Sequence, residues 1–371
     1  MDGPTPTAMT EELFHSLLAL AVKRRASDVH FEVGYPPTYR VFGELLAAKH
    51  PPLTHEDTEA IAGCVLSGAT FLPVHLREAD RSYSLPGVSR FRASVFKQRG
   101  TWGAVLRVIP FTVPELDDLG LPPVVGTVAG TRRGLVLVTG ATGHGKSTTI
   151  AALVQHISQR ERLHVVTVED PIEFLFPPGK GLVIQREVGA DTASYADALR
   201  ASLRQDPDVI VVGELRDRDS AEICLKAAET GRLVITSLHT ADVVRSVGRV
   251  IGLFPSDEQA TARARLADVL QAVLALRLVP RSDAVGLTPA VEALLATSAV
   301  REAIRDGDGR VRDLEAYMAT AGAALGMHGL DQELERLCRE RRISVDTALA
   351  NARDRQRLEH RLAGAGGVHG A

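Results

Sequence analysis

The stretch Gly140-Ala-Thr-Gly-His-Gly-Lys146-Ser147 places glycines, a lysine and a serine at the spacing GxxxxGK[ST]. Residues of those types at that spacing cradle a phosphate. The glycines let backbone N–H groups turn inward at a helix N-terminus, where the dipole and orphan donors favour anions. Gly140, Thr142, Gly143, His144 and Gly145 make the loop, and Lys146, Ser147 and Thr148 open the helix. Lys146 would reach the β- and γ-phosphates of ATP, and the Ser147 hydroxyl would hold Mg²⁺. A glycine-rich match can arise by chance. Here the apolar run GLVLVT at 134–139 precedes it and a helical pattern follows, the strand–loop–helix context the motif requires.

Hydrolysis of a nucleotide needs one carboxylate to orient water and another to hold the metal. Glu214 follows the run DVIVV at 208–212, and Glu169, Asp170 and Glu173 close the run LHVVTV at 163–168. Ligands of open α/β sheets bind at the carboxyl edge of the strands, so both acidic clusters are expected to face the phosphate loop. Any one of these acids alone reads equally well as a solvated loop charge. His239 follows the run LVITSL at 233–238, at the same edge. A lone histidine is more often a satisfied structural group than a sensor of γ-phosphate.

Helical patterns lie between these runs, at 147–159, 194–204 and 220–230, the last stopped by Gly231. Short continuous apolar runs suit strands buried on both faces, and their alternation with helices predicts an α/β fold with a parallel-rich sheet. Further helical regions are expected at 256–278 and from 289 onward. The amino-terminal part has a different pattern. Thr10 can cap a helix bearing Leu13, Leu17, Leu18 and Val22. Extended stretches follow at 28–33 and 38–46, a capped helix begins near Thr54, and β pattern returns at 81–109. A small α+β domain is thus predicted over 11–110, after a loose N-terminus at 1–10. Pro110, Pro114, Pro122 and Pro123 mark a linker at 111–132. The α/β domain with its C-terminal helices would fill 133–361, and the small residues at 362–371 read as a disordered tail.

A chain of 371 residues with 45% hydrophobic and 24% charged content suits two folded domains. A net charge of −3 and 4% aromatic residues make no case for nucleic acid as a partner. Cys64, Cys224 and Cys338 are far apart and odd in number, which argues against a disulfide framework or a CxxC zinc site. They read as small buried hydrophobes. No apolar run approaches the ~18–20 residues of a spanning helix. The first residues have no basic stretch leading into an apolar core, so no signal peptide is read there. A cytoplasmic location is expected unless a partner holds the chain at a membrane.

Several segments, in this order, resemble the boxes of the secretion and pilus ATPase superfamily. They are GLVLVTGATGHGKSTT (Walker A), TVEDPIEF (Asp box), QREVG at 185–189, ALRASLRQDPDVIVVGELRD (Walker B) and AAETGRLVITSLHT (His box). The likeness is strongest to the PilT/PilU-type retraction ATPases of type IV pili. It extends to ASDVHFEVGYPP at 26–37, VSRFRASVFKQRG, AVLRVIP, AVREAIRDGD at 299–308 and LGMHGLDQ at 325–332, spanning roughly residues 12–350.

This resemblance implies a PAS-like N-terminal domain, a RecA-like P-loop motor domain and a homohexameric ring that hydrolyses ATP with Mg²⁺ to drive pilus retraction and twitching motility. It also implies work against an inner-membrane platform protein at the pilus base, peripheral to that membrane, with a related retraction ATPase as a further partner. It assigns the general-base role to Glu214 and places Glu169, Asp170 and Glu173 around metal and water, Asp170 sharing the metal with Ser147. Arg92 and Arg107 sit where the family's small domain supplies arginines to the transferring phosphoryl group; Arg90 and Arg99 match less well. By residue pattern alone, an arginine on such a strand is a solvated face. The helix at 299–305 reads either as a surface for the platform or as an amphipathic helix on its own domain.

Three departures from the family pattern stand out. His144 and Ala141 occupy variable positions of the loop, and Arg232 replaces the first histidine of the His box. GATG and LDQ lean toward PilU, whereas VGELRD and SLHT look like PilT. Competing readings are a pilus-extension or type II secretion ATPase, a PilU-like accessory subunit dependent on a partner motor, and a nucleic-acid translocase. Extension and secretion ATPases generally carry a tetracysteine motif, and this chain has no CxxC.

Overall fold

The structure, a computed structural model, describes residues 9–66, 75–109, 113–320 and 322–365. Most of the expected loose N-terminus, and the expected tail beyond 365, lie outside the described residues, as do positions 111 and 112. The chain divides into two compact units, Met1–Thr112 with Pro171–Leu175, and Val113–Asp170 with Phe176–Ala371.

In the first unit, helix α1 (Glu11–Lys23) begins where the Thr10 side chain accepts the Leu13 N–H, and it buries Phe14, Leu17, Leu18 and Ala21. Helix α2 (His55–Val65) starts with a reciprocal capping box between Thr54 and Asp57. Six strands form one sheet: β1 (Ala26–Phe31), β2 (Thr38–Val41), β3 (Glu44–Ala47), β4 (Glu78–Leu85), β5 (Ser89–Gln98) and β6 (Thr101–Ile109). Their order is β3-β2-β1-β6-β5-β4, all antiparallel. Along β5 the pleat buries Phe91, Ala93 and Val95 and turns Arg92 outward. Arg99 and Gly100, both at positive φ, make the tight turn to β6.

The second unit is built on seven strands: β7 (Gly134–Thr139), β8 (His164–Glu169), β9 (Leu182–Glu187), β10 (Val209–Val212), β11 (Leu233–Leu238), β12 (Leu270–Pro280) and β13 (Leu287–Leu295). Their order is β13-β12-β7-β11-β10-β8-β9, parallel throughout except for β13. Every residue of β7, β10 and β11 is buried, because helices cover both faces. Leu135 and Leu137 point into one core, with α5 (Tyr195–Ser202), α6 (Arg218–Glu229), α7 (Val243–Ile251), α8 (Gln259–Val269) and α9 (Ser298–Asp306). Val136 and Val138 point into the other, with α3 (Val124–Ala129) and α4 (Lys146–Arg160). Further helices at 308–311, 314–319, 330–339, 345–351 and 355–365 complete the unit.

Two expectations for the α/β region change. The helical stretch expected at 256–278 is half helix, since α8 ends at Val269 and a strand runs from Leu270, and the region from 289 opens inside β13. Leu, Ala and Gln favour helices, and an all-apolar run cannot tell a buried helix from a strand buried on both faces. Pairing of Leu270–Pro280 with β7 on one side and β13 on the other decides it. The edge strand β9 has no counterpart among the expected strands. Within the proline-marked stretch 111–132, Leu116 and the α3 residues Val124, Val125 and Val128 pack into the second unit's core. Helix α9 is amphipathic on its own unit: it buries Val300 and Ile304, and Arg301 donates to the Asp268 carbonyl at 2.7 Å, capping α8. Among the described residues, no helix is long and apolar enough to cross a membrane.

Glu292 on β13 is 1% exposed and accepts two hydrogen bonds from Arg353, at 2.7 and 3.2 Å. Burial pushes its carboxyl up to about 7, and the Arg353 guanidinium pulls the other way. Removing the arginine leaves burial opposed only by the Val243 N–H. A carboxyl that keeps its proton to higher pH when folded than when unfolded subtracts stability as pH rises from its ordinary 4.5 through the folded value. Arg353→Ala is therefore expected to destabilise the unit by about 3 kcal/mol at pH 8. The loss should be smaller at pH 5, and urea unfolding midpoints at the two pH values read the difference.

Candidate active site

Strand β7 runs into the loop 140–145, and α4 starts at Lys146. Gly140 and Gly145 have φ of +144° and +87°, which side chains avoid. Gly140 is doubly constrained, since a Cβ there would stand 2.5 Å from the Leu276 carbonyl oxygen of β12. His144 fastens the loop to the same strand by accepting the Leu278 N–H on Nδ1 at 3.0 Å. Burial, helped by Arg277 and Lys146, holds this imidazole below its usual range, which keeps the accepting nitrogen unprotonated. The substituted loop position is thus an anchor to the floor strand.

The Lys146 ammonium donates to the carbonyls of Gly140 (2.9 Å) and Ala141 (3.1 Å) and lies 3.4 Å from His239 Nδ1. An ammonium only donates, so Nδ1 accepts and the ring hydrogen sits on Nε2. That nitrogen is 3.2 Å from Glu214 Oε1. Ser147 and Thr148 are half-buried in the first turn of α4. Beside them, Gly145, Thr148, Leu276, Leu278, Pro289 and Arg342 line a cleft of about 280 Å³.

The acids come from neighbouring strands. Val212 of β10 pairs with Val168 of β8 on one side and Thr236 of β11 on the other. Past β10 the chain is pinned on both sides of Glu214. Gly213 N–H donates to the Val168 carbonyl (2.8 Å), and Ser237 Oγ donates to the Gly213 carbonyl (2.6 Å). Leu215 N–H donates to the Ser237 carbonyl (3.0 Å). The second Glu214 oxygen accepts from Arg216 Nε at 2.7 Å, and Arg216 Nη1 is 3.7 Å from Asp170. Glu169 accepts from Thr167 (2.6 Å) and Gln185 (3.1 Å), facing residues of β8 and β9. The Tyr195 hydroxyl lies against Gly213, 3.0 Å from where a Cβ would be. Burial and the nearby Asp170 carboxylate push its phenol upward, so it keeps its proton.

One sheet edge therefore gathers the loop 140–148, Glu169, Asp170, Glu214 and His239. Glu173 falls in the segment that groups with the first unit, and Arg92 and Arg107 also belong there. Those two arginines are direct cross-strand partners, and Arg107 Nε reaches Asp28 at 2.9 Å. Burial raises the Asp28 carboxyl, but hydrogen bonds from Ser27 and Arg107 outweigh it and hold the group below its ordinary value. Arg92 is exposed, Arg90 is half-buried and Arg99 sits in the turn. Arg232 precedes β11, at the end of the strand away from His239.

Arg216, Thr167, Gln185, Ser237 and Tyr195 were not foreseen from sequence. Arg216 left one trace, its two-residue spacing from Glu214, which puts both side chains on one side of an extended segment. Among the described residues, no group of three or more His, Cys, Asp or Glu could hold a metal ion. A hydroxyl at Ser147 and a carboxylate at Asp170 suit Mg²⁺, which takes one or two protein oxygens and fills its shell with phosphates and water.

Residues 89–352 match the family described as Type II/IV secretion system protein. The chain is 40% identical over 338 residues to the type IV pilus retraction ATPase PilT of Pseudomonas aeruginosa, covering 91% of this chain and 97% of that protein. It is 36% identical over 340 residues to the type IV pilus ATPase PilU of the same organism, covering 91% and 88%. A crystal structure of the pilus retraction motor PilT with bound ADP superposes with a TM-score of 0.81 at 37% identity, covering 93% of this chain and 98% of that one.

Gly140→Ala would force a Cβ onto the Leu276 carbonyl. Nucleotide affinity is expected to fall at least tenfold, read by titration with a fluorescent ATP analogue.

Proposed function

We infer, from the premise that this chain belongs to the Type II/IV secretion system protein family, that it is an ATP-hydrolysing motor driving type IV pilus retraction and twitching motility. The observation that carries this reading is the line Lys146, His239 and Glu214 at the carboxyl edge of the parallel sheet. It occurs in a chain alike to a retraction ATPase over nearly its whole length.

Each residue's part follows from its chemistry. N–H groups of the loop 140–145 and the α4 dipole bind the β- and γ-phosphates. Lys146 exchanges the Gly140 and Ala141 carbonyls for phosphate oxygens. Glu214 orients the attacking water and takes its proton, and His239 relates that carboxylate to the state of Lys146. Ser147 and Asp170 would hold Mg²⁺, which would neutralise charge on the phosphate oxygens. The cleft beside Thr148, with leucines and a proline for walls, suits the base and ribose. Arg92 and Arg107 supply positive charge to the transferring phosphoryl group. Glu169 and Glu173 shape the polar surroundings of metal and water. The motor works as a homohexamer in the cytoplasm, at an inner-membrane platform protein of the pilus base.

A second reading is favoured by the similar likeness to PilU: an accessory subunit that binds ATP and depends on a partner retraction ATPase. Steady-state turnover across protein concentration separates the two. A self-sufficient ring shows a rate per subunit that rises with concentration; bound ATP without turnover, rescued by a partner motor, supports the accessory subunit.

In the same assay, Lys146→Ala should abolish turnover, and Glu214→Gln should bind ATP yet hydrolyse it ~10²–10⁴-fold more slowly. Normal turnover by Lys146→Ala would overturn the phosphate-loop assignment. Arg92→Ala should lose on the order of 10³-fold, the range of an arginine finger, with assembly intact by light scattering. An unchanged rate removes Arg92 from the site.

A further inference from the structure

Parallel pairing of β8 with β10 sets the Asp170 and Glu214 carboxylates on adjacent strand ends. Like charges so placed repel, and each side chain would turn toward solvent unless something held it. Arg216 lies between them. Its Nε donates to Glu214 Oε2 at 2.7 Å, and its Nη1 stands 3.7 Å from Asp170 Oδ2. The geometry is dictated locally. Leu215 is buried and its N–H is tied to the Ser237 carbonyl at 3.0 Å, so Glu214 and Arg216 project to the same side. The Glu214 side chain is only 18% exposed, with its other oxygen at His239, so few orientations are open to it.

We propose that Arg216 is a positioning residue for ATP turnover, one planar guanidinium spanning Glu214 and Asp170 and holding the water-orienting carboxylate at a set distance from the metal-side carboxylate. The proposal rests on the reading of Glu214 as the water-orienting group. A lysine cannot replace the arginine here. Its ammonium is a point charge that can sit on one carboxylate, whereas the guanidinium fork presents separate N–H groups to two. Arg216 acts through Glu214 and touches no reacting atom.

The test compares Arg216→Gln, Arg216→Lys, Glu214→Gln and the double variant Glu214→Gln/Arg216→Gln in the full chain. Turnover is measured, with KM and kcat separated, beside the Kd of a fluorescent ATP analogue and the melting temperature. A misplacement of about 1 Å at a reacting group costs ~10²-fold in rate. Arg216→Gln is therefore expected to lower kcat by about that factor, with KM and Kd within roughly threefold of the parent. Arg216→Lys should not restore the rate, and the double variant should be no slower than Glu214→Gln, since groups acting through one another are not additive. A slow Glu214→Gln beside an Arg216→Gln of normal kcat overturns the proposal alone. So does a full additive loss in the double variant, or rescue by lysine. Normal turnover by Glu214→Gln overturns the reading of Glu214, and the proposal with it.

Discussion

Parallel pairing of β7 with β11 and β12, and of β10 with β8 and β11, is the constraint on which the catalytic region depends. Parallel strands present all their carboxyl ends at one edge. The phosphate loop leaves β7 there, Glu214 follows β10, Asp170 follows β8 and His239 follows β11. No two of the four are neighbours in sequence. The floor is equally a product of pairing, because β12 lies alongside β7 and brings the Leu276 carbonyl under Gly140 and the Leu278 N–H to His144. A side chain at 140 would have to displace a buried strand, so the loop's conformation is enforced from below as well as by its own glycines.

Polar and charged groups follow one another along that edge: Lys146, His239, Glu214, Arg216, Asp170. The contacts from Lys146 to Arg216 are at 2.7–3.4 Å, the Arg216–Asp170 ion pair is longer at 3.7 Å, and three of the four links join different strands. His239 Nδ1 lies at the Lys146 ammonium, and its other nitrogen lies 3.2 Å from one oxygen of Glu214. One imidazole ring thereby links the phosphate-loop lysine to Glu214. Backbone hydrogen bonds at Gly213 and Leu215 pin the chain on both sides of Glu214.

The sheet of the first unit carries its own electrostatic oddity. Arg92 and Arg107 face each other across β5 and β6, an arrangement that destabilises a sheet when the charges are alike. Asp28, on the far side of β6, compensates Arg107 and leaves Arg92 as exposed positive charge. A sheet selected for stability alone would place a neutral or acidic partner opposite one of them.

Residue types and short-range spacing determined the phosphate loop, the two acidic clusters, the alternation of strand and helix, and the division of the chain into an α+β part and an α/β part. Those features are local: a glycine's freedom, a capping side chain and the period of an apolar run act within a few residues. Likewise the boxes that mark the family are contiguous segments. Tertiary structure alone decided the rest. Leu270–Pro280 has helix-forming residues and no distinguishing period, and it becomes a strand because β7 and β13 satisfy its backbone on both sides. Helix α9 packs Val300 and Ile304 inward and caps α8 with Arg301, while Glu302, Arg305 and Asp306 stay exposed. Arg216 is one of five residues in the short segment GELRD. Its contact with Asp170, 46 positions earlier (216 − 170), exists only because two parallel strands end side by side, and no period or propensity in the chain encodes that meeting.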